Sequence, residues 1–156
     1  MRIMTPREAL ERVRGFPLRA FEPGEAVIQQ AGASGGLLFL AEGAVEIAIE
    51  DVVIVRVSEP GSVFGEIALL LHQPHTAAVT AVQPSSFHVV DDPQALFEDE
   101  PRMAVYIAQI LARRLNAVNH LLVDARRRIT QTEEPAGAVM DVLRRMGHAL
   151  QHHEPT

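Results

Sequence analysis

Closely spaced turn signals divide residues 18–90 into short segments, and this spacing constrains the fold more than any other feature of the sequence. The segments between the turns are rich in valine, isoleucine, leucine and phenylalanine, which favour strands. The turn signals are Pro23-Gly24, Gly32, Gly35-Gly36, Glu42-Gly43, Pro60-Gly61 and Gln83-Pro84. Many short strands at regular intervals are typical of a sandwich, a barrel or a roll.

Four of these segments are the clearest predicted strands. They are residues 44–49, 53–57, 76–82 and 85–90. In the first of them, Val45, Ile47 and Ile49 occur at every second position and are expected to share one face of a sheet. This alternation predicts strands that turn one side towards an apolar core.

A short helix is predicted on each side of the β region. Thr5 is a suitable N-cap, Pro6 suits the first helical position, and Glu8 occupies the position of a capping-box acid. Asp92 is expected to cap the second helix, which begins at Pro93. The chain is therefore expected to enter and leave the β region through helices.

Residues 101–131 predict one long helix, capped by Glu100, because neither proline nor glycine follows Pro101 within this range. Apolar residues spaced alternately four and three apart form a heptad seam along it. The seam residues are Leu111, Leu115, Val118, Leu122, Ala125 and Ile129. A helix of about 30 residues is about 45 Å long, which exceeds the width of a small β-domain. Either the seam packs on the chain's own β region or, as we favour, it pairs with a second copy in a homodimer.

The segment after the long helix is predicted to be a separate part. Residues 133–137 are expected to break the helix, and a short amphipathic helix follows. Its apolar residues are Val139, Val142, Leu143, Met146 and Leu150. We therefore divide the chain into residues 1–131, comprising the first helix, a β-roll over 18–90 and a hinge with the long helix over 93–131, and residues 132–156. The second part is a linker and a helix that a protein partner would bind.

The residue composition excludes several kinds of site. The formal net charge is −6, so no overall basic field attracts nucleic acid. Cysteine is absent, which excludes disulfides, thiolate metal sites and a cysteine nucleophile. Lysine is absent too, which excludes a phosphate-loop lysine and a Schiff base. The longest apolar runs are too short to cross a membrane and no apolar signal region begins the chain, so a cytoplasmic location is expected.

The most specific motif is FGEIALLLHQPHTAAV, residues 64–79. With the turns at Pro23-Gly24-Glu25 and Glu42-Gly43 and the helical segment LARRL at 111–115, it makes residues 18–130 resemble the cyclic nucleotide-binding domain family. That family includes catabolite-activator-type regulators, protein kinase A regulatory subunits and gated channels. The resemblance implies a mainly β fold with α elements: a double-stranded β-helix, or jelly-roll-like β-roll, followed by a long C-terminal dimerisation helix.

The resemblance also implies which residues bind the ligand. Gly65 would let the backbone approach it, and Glu66 would accept a hydrogen bond from a ribose 2′-hydroxyl. Small residues at 68, 76 and 77 would line the pocket, and Asn119 on the long helix would meet the base edge. The complete predicted set is Phe64, Gly65, Glu66, Ile67, Ala68, His75, Thr76, Ala77 and Asn119.

His75 departs from the family pattern, because an arginine follows the loop proline in family members and pairs with the cyclic phosphate. The nearest arginines in sequence, Arg56 and Arg102, lie outside the motif. A histidine is only half protonated near pH ~6.5 and lacks the planar fork of donors. A lost charge-assisted hydrogen bond, worth roughly 1.5–3 kcal/mol, predicts binding weaker by about one to two decades. Binding is expected to strengthen below about pH 6.5.

Other functional patterns are weaker. His72, His75 and His88 do not form the pattern of a metal site, and no metal is expected. Asp91 and Asp92 are interpreted as a turn and a helix cap, and no catalytic constellation is present. The arginine runs of the long helix are interpreted as a solvated face, and too few residues follow it for a winged helix-turn-helix, so no direct DNA binding is expected.

The sequence therefore predicts a non-catalytic regulatory or sensor domain, with cAMP or cGMP as a weak ligand and a homodimer formed by the long helix. In this hypothesis the ligand signal passes from the motif at 65–77 to the long helix through the helix at Pro93. The alternative is a domain that binds no nucleotide and acts as a dimeric protein-interaction module. No membrane contact is expected in either case.

Overall fold

The computed structural model describes residues 1–131 as four helices and eight strands. The helices are α1 (Pro6–Val13), α2 (Glu66–Leu71), α3 (Pro93–Asp99) and α4 (Pro101–Gln131). The strands are β1 (Leu18–Phe21), β2 (Ala26–Ile28), β3 (Leu37–Glu42), β4 (Val45–Ile49), β5 (Val52–Val57), β6 (Val63–Phe64), β7 (Ala78–Ala81) and β8 (Ser85–Val90). The predicted linker and terminal amphipathic helix lie outside the described residues.

The strands form two antiparallel sheets, in the orders β1-β8-β3-β6 and β2-β7-β4-β5. Neighbours in each sheet are mostly distant in sequence; β1, for example, pairs with β8. This arrangement confirms the predicted β-roll, which runs from Leu18 to Val90 and is followed by a long helix. The predicted strand at 76–82 is shorter in the structure, Ala78–Ala81.

An apolar core fills the space between the sheets. Strands of the first sheet contribute Leu40 and Phe87, and strands of the second contribute Ile28, Val45 and Val79, all buried. Aromatic rings reinforce it, because Phe87 contacts Phe21 and Phe64 edge-to-face at centroid distances of 5.7 and 5.8 Å. Burial of apolar area at about 25 cal/mol per Å² is the main favourable term that holds the two sheets together.

The capping box predicted for α1 is confirmed. The Thr5 hydroxyl accepts a hydrogen bond from the Glu8 N–H at 3.2 Å, and the Glu8 carboxylate accepts one from the Thr5 N–H at 2.8 Å. The backbone hydrogen bond from Thr5 is the main cause that lowers the pKa of the Glu8 carboxyl below its ordinary value. The helix then buries Ala9 and Val13.

The caps of α3 and α4 differ. The Asp92 carboxylate accepts from the Ala95 N–H at 3.1 Å, which confirms it as the cap of α3. At the start of α4, by contrast, it is the backbone carbonyl of Glu100 that accepts from the Met103 N–H at 2.9 Å. The Glu100 carboxylate forms an ion pair with Arg12 of α1 at 3.2 Å.

A buried hydrogen bond fixes the beginning of α4 to the β5–β6 turn. The Tyr106 hydroxyl donates to the Gly61 carbonyl at 2.9 Å, and Tyr106 is almost completely buried. Gly61 itself has a φ of +92°, and an added Cβ would lie 2.2 Å from the Pro6 carbonyl oxygen. The β5–β6 turn, α1 and the first turns of α4 therefore meet at Gly61, where there is no room for a side chain on residue 61.

The chain divides into two compact units, Met1–Gln109 and Ile110–Thr156, with the division inside α4. In the described part of the second unit, several apolar side chains of α4 are exposed: Leu115, Val118, Leu121 and Val123. Leu115 and Val118 belong to the predicted seam. The remaining residues of the seam are half-buried: Leu111, Leu122, Ala125 and Ile129. None of the helices in residues 1–131 is long and apolar enough to cross a membrane.

Strand β5 is at the edge of the second sheet, as far as residues 1–131 show, and it is unusually apolar for that place. The exposed fractions of Val52 and Ile54 are 62% and 58%, and those of Val53 and Val55 are only slightly smaller. The strand is joined to β4 by a two-residue turn in which Glu50 and Asp51 have φ values of 48° and 64°. Both turn residues therefore lie in the left-handed region.

Candidate functional site

The motif at residues 64–79 folds as the end of β6, the short helix α2 and a loop that leads to β7. Gly65 precedes α2 with a φ of +88°, a value that residues other than glycine rarely adopt. An added Cβ at Gly65 would lie 2.7 Å from the Gly36 carbonyl oxygen and 3.6 Å from Cε1 of His75. Glycine is required here because the Gly36 backbone approaches Gly65 closely and the His75 imidazole lies on the same side.

His75 is held beside Gly65 by the loop between β2 and β3. Its N–H donates to the Gly32 carbonyl at 2.9 Å, and its carbonyl accepts from the Ala31 N–H at 2.8 Å. Ala31 has a φ of 63°, so the loop is held in a conformation unfavourable for alanine. The two hydrogen bonds fix the backbone of His75, and its half-buried imidazole lies against Gly65.

The other predicted ligand-binding residues near α2 have different environments. Phe64, Glu66 and Ala68 are buried, with exposed fractions of 3%, 3% and 1%. A carboxylate as deeply buried as that of Glu66 is rare and is normally held by polar partners. Ile67 and Thr76 are exposed, while Ala77 is half-buried.

Asn119 lies on the part of α4 that belongs to the second unit, and its side chain is exposed. Glu66 and His75 belong to the first unit. The contact predicted between Asn119 and a nucleotide base therefore stays a prediction.

A cavity of about 260 Å³ lies beside His75, at one end of the roll. Its walls come from the β2–β3 loop, from β2, and from residues at β1, β3 and β8. Of the predicted ligand-binding residues, His75 alone lines this cavity, together with the polar residues Arg19, Gln29 and Asp91.

Sequence reasoning missed Arg19 and Gln29, and it interpreted Asp91 only as a turn residue. Arg19 is distant from the motif in sequence and reaches the cavity through β1, which pairs with β8. The usable signal was the alternation of β8, because Phe87, Val89 and position 91 occur at every second residue.

The described residues contain no group of three or more histidine, aspartate or glutamate side chains able to hold a metal ion. His72 is exposed at the C-terminal end of α2, and Nδ1 of His88 lies 3.0 Å from the Phe16 carbonyl oxygen. His72 and His88 therefore lie in surroundings different from those of His75.

The sequence is similar to a known family and to known proteins over part of its length. The profile of a family described as "Cyclic nucleotide-binding domain" matches residues 18–99. The chain is 47% identical over 64 residues to a cAMP-dependent protein kinase regulatory subunit of Yarrowia lipolytica, covering 40% of this chain and 16% of that protein. It is 36% identical over 66 residues to the cAMP-dependent protein kinase type II regulatory subunit of Drosophila melanogaster, covering 40% of this chain and 18% of that protein. The matched segment is thus a small part of these relatives.

The fold is also similar to solved structures. The catabolite activator protein of Thermus thermophilus superposes with a TM-score of 0.63 at 25% identity, over 76% of this chain and 59% of that one. A second structure, from work on a cyclic-GMP-dependent signalling pathway in bacterial phytopathogenesis, has a TM-score of 0.61 at 24% identity and covers 74% and 98% of the two chains. The second of these likenesses bears on the fold alone.

Proposed function

The chain belongs to the cyclic nucleotide-binding domain family, and from this premise we propose that it is a non-catalytic regulatory domain that binds cAMP or cGMP weakly. The observation that carries the proposal is the position of His75. Its imidazole lies against Gly65, at the place where the family motif has the arginine that pairs with the cyclic phosphate. The site keeps the glycine and the glutamate of the motif but has a weaker cation.

The weakness follows from the chemistry of the two side chains. Arginine is always charged and offers two parallel N–H donors to a phosphate. A histidine offers one donor in this direction and is charged only in part near neutral pH. We expect affinity to be lower by about one to two decades than with arginine, and to rise as the pH falls below about 6.5.

The site is otherwise suited to a phosphodiester of a sugar. Glu66 is buried next to Gly65, where a carboxylate can accept a hydrogen bond from a ribose hydroxyl. Ala68 and Ala77 have small side chains, and the backbone of His75 is held by two hydrogen bonds. Fixed donors and acceptors reduce the ordering cost of binding.

The further parts of the proposal concern assembly and location. The domain forms a homodimer through α4, makes no direct contact with DNA, and resides in the cytoplasm. Exposed apolar side chains on α4, among them Val118 and Leu121, support the homodimer. A protein partner would dock on the segment after residue 131.

A second candidate function is a dimeric protein-interaction module that binds no nucleotide. Exposed apolar side chains on α2 favour it, because Leu70 and Leu71 have exposed fractions of 49% and 57% beside the motif itself. In this case His75 is a structural loop residue, and its replacement by arginine changes no binding.

The deciding experiment is calorimetric titration of cAMP and cGMP at pH 6 and pH 8, with wild type, His75→Arg and the matched control His72→Arg. His72 is exposed, and its replacement by arginine adds the same charge at a position outside the predicted ligand-binding residues. Weak binding that strengthens at pH 6, and that His75→Arg tightens tenfold or more while His72→Arg does not, is expected.

Other outcomes separate the two functions. Binding by His75→Arg alone would mean that the site is intact and has lost its phosphate anchor. Equal affinity of wild type at pH 6 and pH 8 would contradict the role of a protonated histidine. If neither protein binds either nucleotide, the interaction module becomes the better description.

A further inference from the structure

We infer that the cavity between the β2–β3 loop and the end of the first sheet is a binding site for a small phosphate-sized anion, with Arg19 as its principal cation. This site is distinct from the proposed nucleotide site and shares only His75 with it. It does not require that a cyclic nucleotide binds at all.

Strand pairing places Arg19 on the face of β1 that it shares with Phe87, and its exposed side chain lines the cavity. Arg19 lies opposite Phe87 in the β1–β8 ladder, and directly opposite residues of an antiparallel pair project from the same face. Phe87 belongs to the buried core, and Arg19 is on the same face at an edge strand. There it lines the cavity with Val89 of β8.

The same alternation brings a carboxylate to the cavity. Phe87, Val89 and Asp91 occur at every second position, and Asp91 follows directly after β8 ends. Arg19 and Asp91 line one cavity, yet no ion pair joins them within 4.0 Å, and Arg19 has no ion pair elsewhere in residues 1–131. An arginine that is not neutralised by a neighbour retains its full attraction for an anion.

The β2–β3 loop forms one wall of the cavity and is rich in glycine. It contains Gly32, Gly35 and Gly36, which allow close approach of main-chain groups to a ligand. Its unfavourable conformation at Ala31 is held by the two hydrogen bonds to His75. Backbone strain of this kind is concentrated at ligand-binding loops.

The size and charges of the cavity define the ligand. Its volume of about 260 Å³ is below the roughly 300–1,000 Å³ typical of clefts that enclose drug-sized molecules. Arg19 and His75 favour an anion, while Asp91 disfavours a dianion and accepts a hydrogen bond from a protonated oxygen. The cavity therefore suits a monoanion with an O–H donor, such as dihydrogen phosphate or a phosphate monoester, better than sulfate.

The test is titration of inorganic phosphate and of sulfate at pH 6, followed by calorimetry and by the histidine ring resonances in NMR spectra. The proteins are wild type, Arg19→Gln, Asp91→Asn and the control Arg56→Gln, which removes an exposed arginine outside the cavity. All these side chains are exposed, so the variants should melt within a few degrees of wild type.

We expect saturable phosphate binding that shifts the His75 resonances. Arg19→Gln should weaken it roughly tenfold to a hundredfold, and Arg56→Gln should not change it. Asp91→Asn should improve sulfate binding and reduce the preference for phosphate over sulfate.

The inference is overturned if phosphate does not saturate wild type, or if Arg19→Gln and Arg56→Gln behave alike. Titration of cAMP into Arg19→Gln keeps this result separate from the proposed function. If Arg19→Gln binds cAMP as wild type does but has lost phosphate, Arg19 belongs to a phosphate site and not to the nucleotide site. If it loses both, phosphate occupies part of the nucleotide site and the inference of a distinct site is wrong.

Discussion

At the scale of single residues, Gly65 shows that backbone geometry sets the arrangement of the motif. Its positive φ aligns α2, and its missing side chain lets Gly36 and His75 approach. The residue that provides chemistry, His75, depends on this space, because its imidazole lies over Gly65. A change at the glycine therefore alters the environment of the histidine.

Replacement of Gly65 by alanine should lower the free energy of unfolding by about 1–2 kcal/mol from the left-handed backbone alone. The contact of 2.7 Å with the Gly36 carbonyl oxygen adds to this loss. Urea unfolding measures the effect, with Gly15→Ala as control, since an added Cβ there meets nothing within 4 Å. Equal stability of the two variants would show that the loop relaxes freely.

Replacement of Thr5 by alanine should lower the free energy of unfolding by about 0.5–2 kcal/mol, because it removes the cap of α1. The pKa of the Glu8 carboxyl is lowered in the folded protein, mainly by the backbone hydrogen bond from Thr5. The stability that the Glu8 carboxylate contributes is therefore complete above its ordinary pKa of 4.5. It is lost as the pH falls through the lowered pKa.

Thermal unfolding of wild type and Thr5→Ala between pH 7 and pH 3 checks both points. The part of the difference that comes from the Thr5 hydroxyl donating to the Glu8 carboxylate should be lost as Glu8 is protonated, whereas the part from that hydroxyl accepting from the Glu8 N–H should remain. A difference that grows in acid would contradict the capping box as its cause.

At the scale of elements, the β4–β5 hairpin has a turn type that its residues do not favour. Glu50 and Asp51 both have positive φ, as in a two-residue type I′ turn, for which Asn-Gly is the preferred sequence. The double change Glu50→Asn and Asp51→Gly should raise the free energy of unfolding by about 1 kcal/mol. For a domain of this size that is several degrees in Tm.

Differential scanning calorimetry measures the gain in the hairpin. The control places the same Asn-Gly pair at Ala33 and Ser34, two exposed loop residues that do not have positive φ. This change should not stabilise the protein. A gain in the control alone would contradict the explanation by turn type.

How much of the fold was predictable depended on how local each signal was. The caps at Thr5 and Asp92 and the strand at 85–90 could be predicted because neighbours in sequence determine them. Strand pairing could not, because β1 meets β8 only in the folded sheet. For the same reason His75 could be identified from its motif, whereas Arg19 could not. The ion pair of Glu100 with Arg12 of a distant helix could not be predicted for the same reason.

At the scale of the whole molecule, the seam of α4 predicts the oligomeric state. Val118→Asp with Leu122→Asp places charges on the seam and should convert a dimer into monomers. Light scattering at tens of micromolar measures the mass. The control, Asn116→Asp with His120→Asp, makes the same change of charge at exposed positions off the seam.

A wild-type protein that is monomeric at this concentration would contradict the dimer, and so would a dimer that survives both double substitutions. Monomers from the seam variant that still bind cyclic nucleotide would show that the ligand site is complete within one chain. Loss of both properties together would favour a role for α4 in binding.

The exposed β5 edge has a consequence for colloidal behaviour. Four neighbouring β-branched residues and backbone groups that pair with no other strand of residues 1–131 form a template on which another strand can grow, which is the usual starting point of fibrils. Arg56 is the single charge within the strand, so mutual repulsion between molecules rests largely on the net charge of −6. Acidification removes that repulsion as carboxylates and histidines gain protons. Prolonged storage in mild acid should therefore seed ordered aggregates at this strand, while neutral solutions stay clear.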